Sequence, residues 1–308
     1  MSARQLARLA VLLVLVLAVW GGAALLRHGR RDRGASLAWP VIDTSAVDTV
    51  AFTKGGDSAV LVRGADKRWR VNGFLASTDN VRQLLIALGD PSTWSELVAE
   101  SAASHEAMGV AADSGQRVHV VGKGGVRVDL ITGHRTADGA GMFVRHAGRD
   151  TVYALHGPVP AAFAHSFGEW RDRTIVSVPL DSVARVEVTH GAHSYALFRI
   201  GSAWRYVSGE PADSGAVRML IGRFSPLVAS SFATPAQADS AQFTHPTVRV
   251  RLYAGGGEPT IDLLIDSTKT AVWVRSDTGR TVYGIDSWQV PNLAPPETMF
   301  RLGRPNAR

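Results

Sequence analysis

The chain has 308 residues, 45% hydrophobic and 19% charged, which suits two domains of ordinary size and excludes a disordered polymer. Its net charge of +6 is concentrated at one end: residues 1–33 hold six arginines against Asp32, and the rest has 27 basic and 26 acidic residues. A near-neutral body argues against nucleic-acid binding, and the absence of cysteine excludes disulfides, thiolate nucleophiles and Cys-ligated metals.

Leu9–Leu26 is an uncharged apolar run of 18 residues, flanked by arginines at both ends and carrying Trp20 toward its distal side. As a helix it would be about 27 Å long, close to the roughly 30 Å of a bilayer core. Residues 1–33 are therefore expected to form a single-pass anchor that meets membrane lipid through residues 9–26. A cleaved signal peptide is the competing reading, with Gly22 and Ala24 as a small-residue cleavage site. The arginine count points the body toward the cytoplasm. The layout of basic leader, single span and long strand-rich body points the other way, and an extracytoplasmic body is the reading taken.

Residues 34–157 form the first expected α+β unit. Val50 and Phe52 share a strand face, followed by Val60 with Val62 and Trp69 with Val71. Asn72-Gly73 is a turn signal. Asp79 and Asn80 suit a helix N-cap, before Val81, Leu84, Leu85 and Leu88 at helical spacing. Strands are predicted over Trp94–Val98, Val118–Val121, Val126–Ile131, Met142–Arg145 and Thr151–Leu155.

Residues 158–180 read as a helix-containing linker, and residues 181–308 repeat the order of the first unit. Val183, Val186 and Val188 open it, then Tyr195–Ile200 and Trp204–Val207. The helical set Val217, Leu220, Ile221 and Phe224 lies 136 residues after its counterpart, and Trp204 lies 135 after Trp69. Trp273-Val274-Arg275 follows Phe143-Val144-Arg145 by 130, as Val282-Tyr283 follows Val152-Tyr153. A drift of a few residues needs only loop shortening, which is energetically mild. An internal duplication of mainly antiparallel, strand-rich units is expected.

This order of elements resembles the DUF4340 family of bacterial envelope proteins. The resemblance rests on the apolar anchor, Trp69-Arg70-Val71, Asp79 with its helix, His105–Val110, Phe143-Val144-Arg145, Val152-Tyr153 and Trp170-Arg171-Asp172-Arg173. The chain departs from the family by carrying Trp170 where leucine is usual, and His105 and Met108 around Gly109. The resemblance implies a membrane-anchored companion of ABC-type export systems, including gliding-motility systems, with transporter membrane subunits as partners.

Candidate chemistry is sparse. His190 and His193 offer a two-histidine metal pair, but they sit at an expected hairpin turn without a third ligand. His165, Ser166 and Asp172 supply triad residue types, yet GxSxG is absent and adjacent helical side chains diverge. Gly122–Gly125 and Gly255–Gly257 join strand to strand, unlike a phosphate cradle. Asp43, Asp48, Asp181 and Glu187 suit surface or capping roles. Trp170, Arg171, Asp172 and Arg173 are the candidate interface or linker residues, since Trp and Arg favour binding hot spots while alternating charge suits a salt-bridged joint. The expected function is a non-enzymatic accessory or scaffold subunit without cofactor. The alternatives are a substrate-binding module serving a transporter and, more remotely, an envelope hydrolase.

Overall fold

The computed structural model describes residues 37–302 except Lys269 and Thr278. The expected membrane segment at residues 9–26 lies outside the described residues. Among the described residues no helix is long and apolar enough to cross a membrane. The chain divides into two units between Asp172 and Arg173. Both are strand-rich, with every strand pair antiparallel.

The first unit runs β1 (Val47–Lys54), β2 (Asp57–Arg63), β3 (Trp69–Val71), β4 (Phe74–Leu75), α1 (Thr78–Leu88), β5 (Trp94–Ala99), β6 (Gln116–Gly122), β7 (Gly125–Arg135), β8 (Gly141–His146), β9 (Val152–His156) and α2 (Val159–Phe163). Its nine strands are ordered β4-β3-β2-β1-β6-β7-β8-β9-β5. Alternation decides which side chains enter the core. Val50 and Phe52 face inward, and their cross-strand partners Leu61 and Ala59 go with them. Val60 and Val62 share a face as expected, but it is the one away from this core: Val60 is half-buried and Val62 exposed. In an all-apolar Val60-Leu61-Val62 run, pairing sets the face.

Helix α1 covers this face with Val81, Leu84, Ala87 and Leu88. Its cap is Ser77, which accepts from the Asn80 amide at 3.3 Å, while Asp79 falls in the first turn. The expected Asp79–Asn80 cap is therefore displaced by two residues, and the carboxylate instead favours the positive end of the helix. A smaller cluster of Val110, Ile131 and Val152 lies apart from this core, with Met108 and Phe143 packed on it.

The second unit runs β10 (Thr174–Val176), β11 (Arg185–His190), β12 (His193–Ile200), β13 (Ala203–Tyr206), β14 (Pro211–Ala212), α3 (Ser214–Gly222), β15 (Leu227–Val228), β16 (Ser231–Phe232), α4 (Pro235–Ser240), β17 (Val248–Tyr253), β18 (Ile261–Ser267), β19 (Val272–Ser276), β20 (Tyr283–Ile285) and α5 (Val290–Leu293). The order of its large sheet is β14-β13-β12-β11-β17-β18-β19-β20-β16, the same nine-strand permutation. Register makes the correspondence residue by residue. Val50 pairs with Leu61 and Val120, and Val186 pairs with Leu197 and Leu252. Arg63 faces Trp69 as Arg199 faces Trp204. The small cluster recurs as Phe243, Leu264 and Val282.

The expected linker 158–180 is divided between the units. Helix α2 and the following turn Phe167–Trp170 belong to the first core, whereas β10 pairs with β15 in the second unit. Its first half is a closing element, and the second unit ends on the same one. Trp170 is fully buried and stacks on Phe52 at 5.0 Å, and Phe300 is fully buried at the end of its own turn. Arg171 then bridges to Ala76, and Arg301 to Ala212. Backbone bonds repeat too: Ser77 donates to the Trp170 carbonyl and Asp213 to that of Phe300, each at 2.8 Å.

Candidate interaction surfaces

Trp170 belongs to the core and presents no surface. Large aromatics bury enough area that truncation removes about 3–5 kcal/mol, so its role is to close the unit. Its indole N–H has no acceptor among the described residues. Arg171 lies over the Phe74 ring, 3.5 Å from its centroid, which orients the β3–β4 hairpin. The Asp172 amide donates to the Leu75 carbonyl at 2.9 Å, and the Arg173 carbonyl accepts from Ala229 at 2.8 Å. The four residues are split, one side of Asp172 serving each unit.

Beside Asp172 the first unit opens a groove of ≈ 630 Å³. Trp69, Leu75, Val81, Leu85 and Ile86 supply its apolar wall, and Lys67, Arg68 and Arg82 its cations. Arg82 also pairs with Asp79 at 2.6 Å, an exposed pair worth little by itself. The groove draws its residues from the β2–β3 turn, the β4 strand, α1 and the closing segment. No local sequence pattern spans such a set.

The corresponding place in the second unit is built from different residues. Pairing aligns Lys67 and Arg68 with Ser202 and Ala203, Phe74 and Leu75 with Glu210 and Pro211, and Ile86 with Gly222. Trp204 is buried where Trp69 is half-exposed. Leu180 lies 3.8 Å from where a Gly222 Cβ would stand.

The sheet edges differ as well. Strand β5 ends the first sheet with six residues, pairing on one side with β9. Trp94, Leu97 and Val98 are exposed along it, and Trp94 stacks on His156 at 4.2 Å. The matching edge β16 has two residues. Long apolar edges invite pairing with another chain, and proteins commonly shorten or charge edges that have no such role.

The remaining candidates resolve into structural duties. His190 and His193 are cross-strand neighbours flanking the β11–β12 turn, and no group of three metal-ligating side chains occurs among the described residues. Ser166 donates to Glu169 at 2.7 Å within a capping box, and His165 meets the Trp170 ring edge-on at 5.1 Å. Both glycine clusters join successive strands, β6 to β7 and β17 to β18. Asp43 caps a short turn through Ser45, whose hydroxyl and amide hold the carboxylate below its usual range. Asp48 is exposed on β1. Asp181 pairs with Arg218 at 3.2 Å.

Glu187 accepts from the Tyr253 hydroxyl at 2.7 Å and pairs with Arg185. Nearby, Arg249 grips Asp262 through two hydrogen bonds of 2.8 and 2.6 Å, with Arg251 adding a third at 3.1 Å. Burial pushes Asp262 up, but the bonds and charge of Arg249, with those of Arg251, outweigh it and leave the carboxylate below its ordinary value. The first unit has the same pair in plainer form, Arg117 with Asp129. An ion pair repeated on equivalent strands reads as sheet reinforcement.

A family model described as Domain of unknown function (DUF4340) matches residues 69–246, more than half of the chain. No curated protein and no solved structure matches it.

Proposed function

The chain belongs to the DUF4340 family, and we propose that it is a non-enzymatic, membrane-anchored envelope protein serving an ABC-type export system as an accessory or scaffold subunit. Residues 9–26 hold it in the membrane by a single pass, with the body on the extracytoplasmic side. Its two α+β units descend from one duplicated ancestor, a history supported by their common strand order and closing turn.

The observation that carries this reading is the edge strand β5. Six residues with exposed Trp94, Leu97 and Val98 offer backbone hydrogen bonds and apolar side chains to an extended segment of a partner. We assign that partner to a membrane subunit of the exporter. A non-enzymatic role is supported by the engagement of Ser166, Asp181 and Glu187 in caps and ion pairs.

The test places a photo-crosslinking residue at Leu97 of the full chain in intact membranes, with a second at Phe232 on the short edge. An adduct with an exporter subunit from position 97, absent from 232, is the expected result. Adducts with lipid and abundant bystanders alone, or equal yields from both positions, would sink the scaffold reading.

A further inference from the structure

The groove of the first unit has a different chemistry from the β5 edge. Its wall is apolar, and two of its side chains, Leu75 at 45% and Ile86 at 64%, are large and exposed, as is Phe74, the strand neighbour of Leu75, at 46%. Around them stand Lys67, Arg68, Arg70, Arg82 and Arg171 against the carboxylates Asp66, Asp79 and Asp172. Exposed apolar groups among arginines and lysines are the composition of surfaces that rest at a membrane interface. The fold does not demand them, because the second unit builds the same elements with Ser202, Ala203, Glu210, Pro211 and Gly222.

The chain's own path allows this surface to meet the bilayer. Leu37 is buried in the first unit, where its carbonyl accepts from Ser95 at 3.1 Å. Trp39 donates to the Leu88 carbonyl at the end of α1, and Thr44 lines the groove. Ten residues separate Leu26 from Leu37, a reach of at most about 40 Å when fully extended. A tether of that length lets the groove side of α1 reach the headgroups.

We propose that the groove and its apolar rim dock on the anionic headgroup surface of the bilayer that holds residues 9–26. This rests on the anchoring role proposed above. Phe74, Leu75 and Ile86 enter the interfacial layer, and Lys67, Arg68 and Arg82 meet lipid phosphates. Each cation close to an anionic surface raises affinity by about fivefold. Ion-pair partners already present, Asp79 for Arg82 and Asp66 for Arg70, are exposed and readily exchanged for phosphate.

The chain has no cysteine, so one introduced thiol gives one label. The full chain carrying Ile86→Cys and an environment-sensitive fluorophore is placed in nanodiscs of phosphatidylcholine, with and without phosphatidylglycerol. Gly222→Cys labels the equivalent place in the second unit. The expected result is a blue-shifted, brighter label at position 86 in anionic discs. The change reverses in high salt, falls at least tenfold in lipid affinity with Lys67→Glu and Arg68→Glu together, and is absent at position 222. A water-like label at 86 in anionic discs into which the chain has inserted overturns the docking proposal alone. So does an equal response to neutral lipid, or a response to an acidic amphipathic peptide in place of lipid. Failure of the chain to enter discs overturns the anchoring role and this proposal with it.

Discussion

The two units answer the same folding problem with one strand order and then diverge at the surface. Both close with a turn that drives an aromatic ring into the core and lays an arginine against the strand before the helix. Both set an arginine–aspartate pair across matching strands and cover a small second cluster with an irregular loop. The first unit alone combines a six-residue edge exposing Trp94, Leu97 and Val98 beside Glu96 with a groove lined by Lys67, Arg68, Leu75 and Ile86. What recurs in both units is what the fold requires. What is confined to one of them is free to serve binding.

The largest test of this division is at the closing ring. Trp170→Ala and Phe300→Ala should each destabilise their unit by about 3–5 kcal/mol, measured by denaturant unfolding of the full chain in detergent. Trp170→Phe should cost far less, under about 1.5 kcal/mol, because it installs the second unit's solution and removes an indole N–H that lacks an acceptor. Compensation for ring size is visible nearby: Phe52 and Ala59 in the first unit correspond to Val188 and Tyr195 in the second. A severe Trp170→Phe variant would mean that the two closures are not equivalent.

Much of this correspondence can be read from spacing. The tryptophans at an offset of 135 fall where pairing puts them, and the helical sets at 136 fall on or just past matching helices, with Val81, Leu84 and Leu88 buried like Val217, Leu220 and Phe224. The closing turn carried the same kind of signal. Val159-Pro160 recurs 131 residues later as Val290-Pro291, and Trp170-Arg171 recurs 130 later as Phe300-Arg301. A short 3-10 turn has no hydrophobic period, and the ring changes type between the units. Residues 158–180 therefore read as a linker in sequence alone. The groove was not legible at all, since Thr44, Lys67, Ile86 and Asp172 meet through tertiary packing. Edge position is likewise a property of strand order, which alternation alone does not reveal.

A second test concerns the arginines at matching places on β8 and β19. Arg145 is buried and donates to the carbonyls of Val110, Arg149 and His146 at 2.6, 3.0 and 3.4 Å. Arg275 instead lies over the Phe243 ring at 4.6 Å. Arg145→Ala leaves buried carbonyls unpaired and should cost about 1–3 kcal/mol. Arg275→Ala should cost less, about 0.5–1 kcal/mol for a partly exposed cation–π contact. Hydrogen exchange would locate the first effect in the His105–Val110 loop. Equal losses would show that the loops are held alike.

The aspartates give a smaller, pH-resolved comparison. Asp129 and Asp262 are both held below the ordinary carboxylate value, by Arg117 and by Arg249 with Arg251. A depressed carboxylate contributes stability that is complete above its unfolded pKa, about 3.9, and is lost as pH falls through the lower folded value. Asp262→Asn should flatten the stability profile below about pH 4 and lower the plateau above it by about 1–2 kcal/mol, since Asp262 is largely buried. Asp129→Asn, at a more exposed pair, should cost under about 1 kcal/mol. Acid unfolding curves of the two variants decide the order.

The smallest effect on folding is expected where the largest effect on binding is placed. Leu97 and Val98 are 37% and 40% exposed on the outermost strand, so the lysines of Leu97→Lys with Val98→Lys can keep their alkyl stems on the covered part and place charge where edge strands tolerate it. The unfolding midpoint should correspond to a change within about 0.5 kcal/mol per residue. The proposed crosslink from the β5 edge should nonetheless be lost, because apolar side chains along the edge are replaced by two ammonium groups requiring solvent. If the double variant unfolds instead, β5 is covered in the working protein by some part of its own chain. The contrast with the two-residue edge β16 would then describe packing, and the proposed scaffold role would lose the surface that carries it.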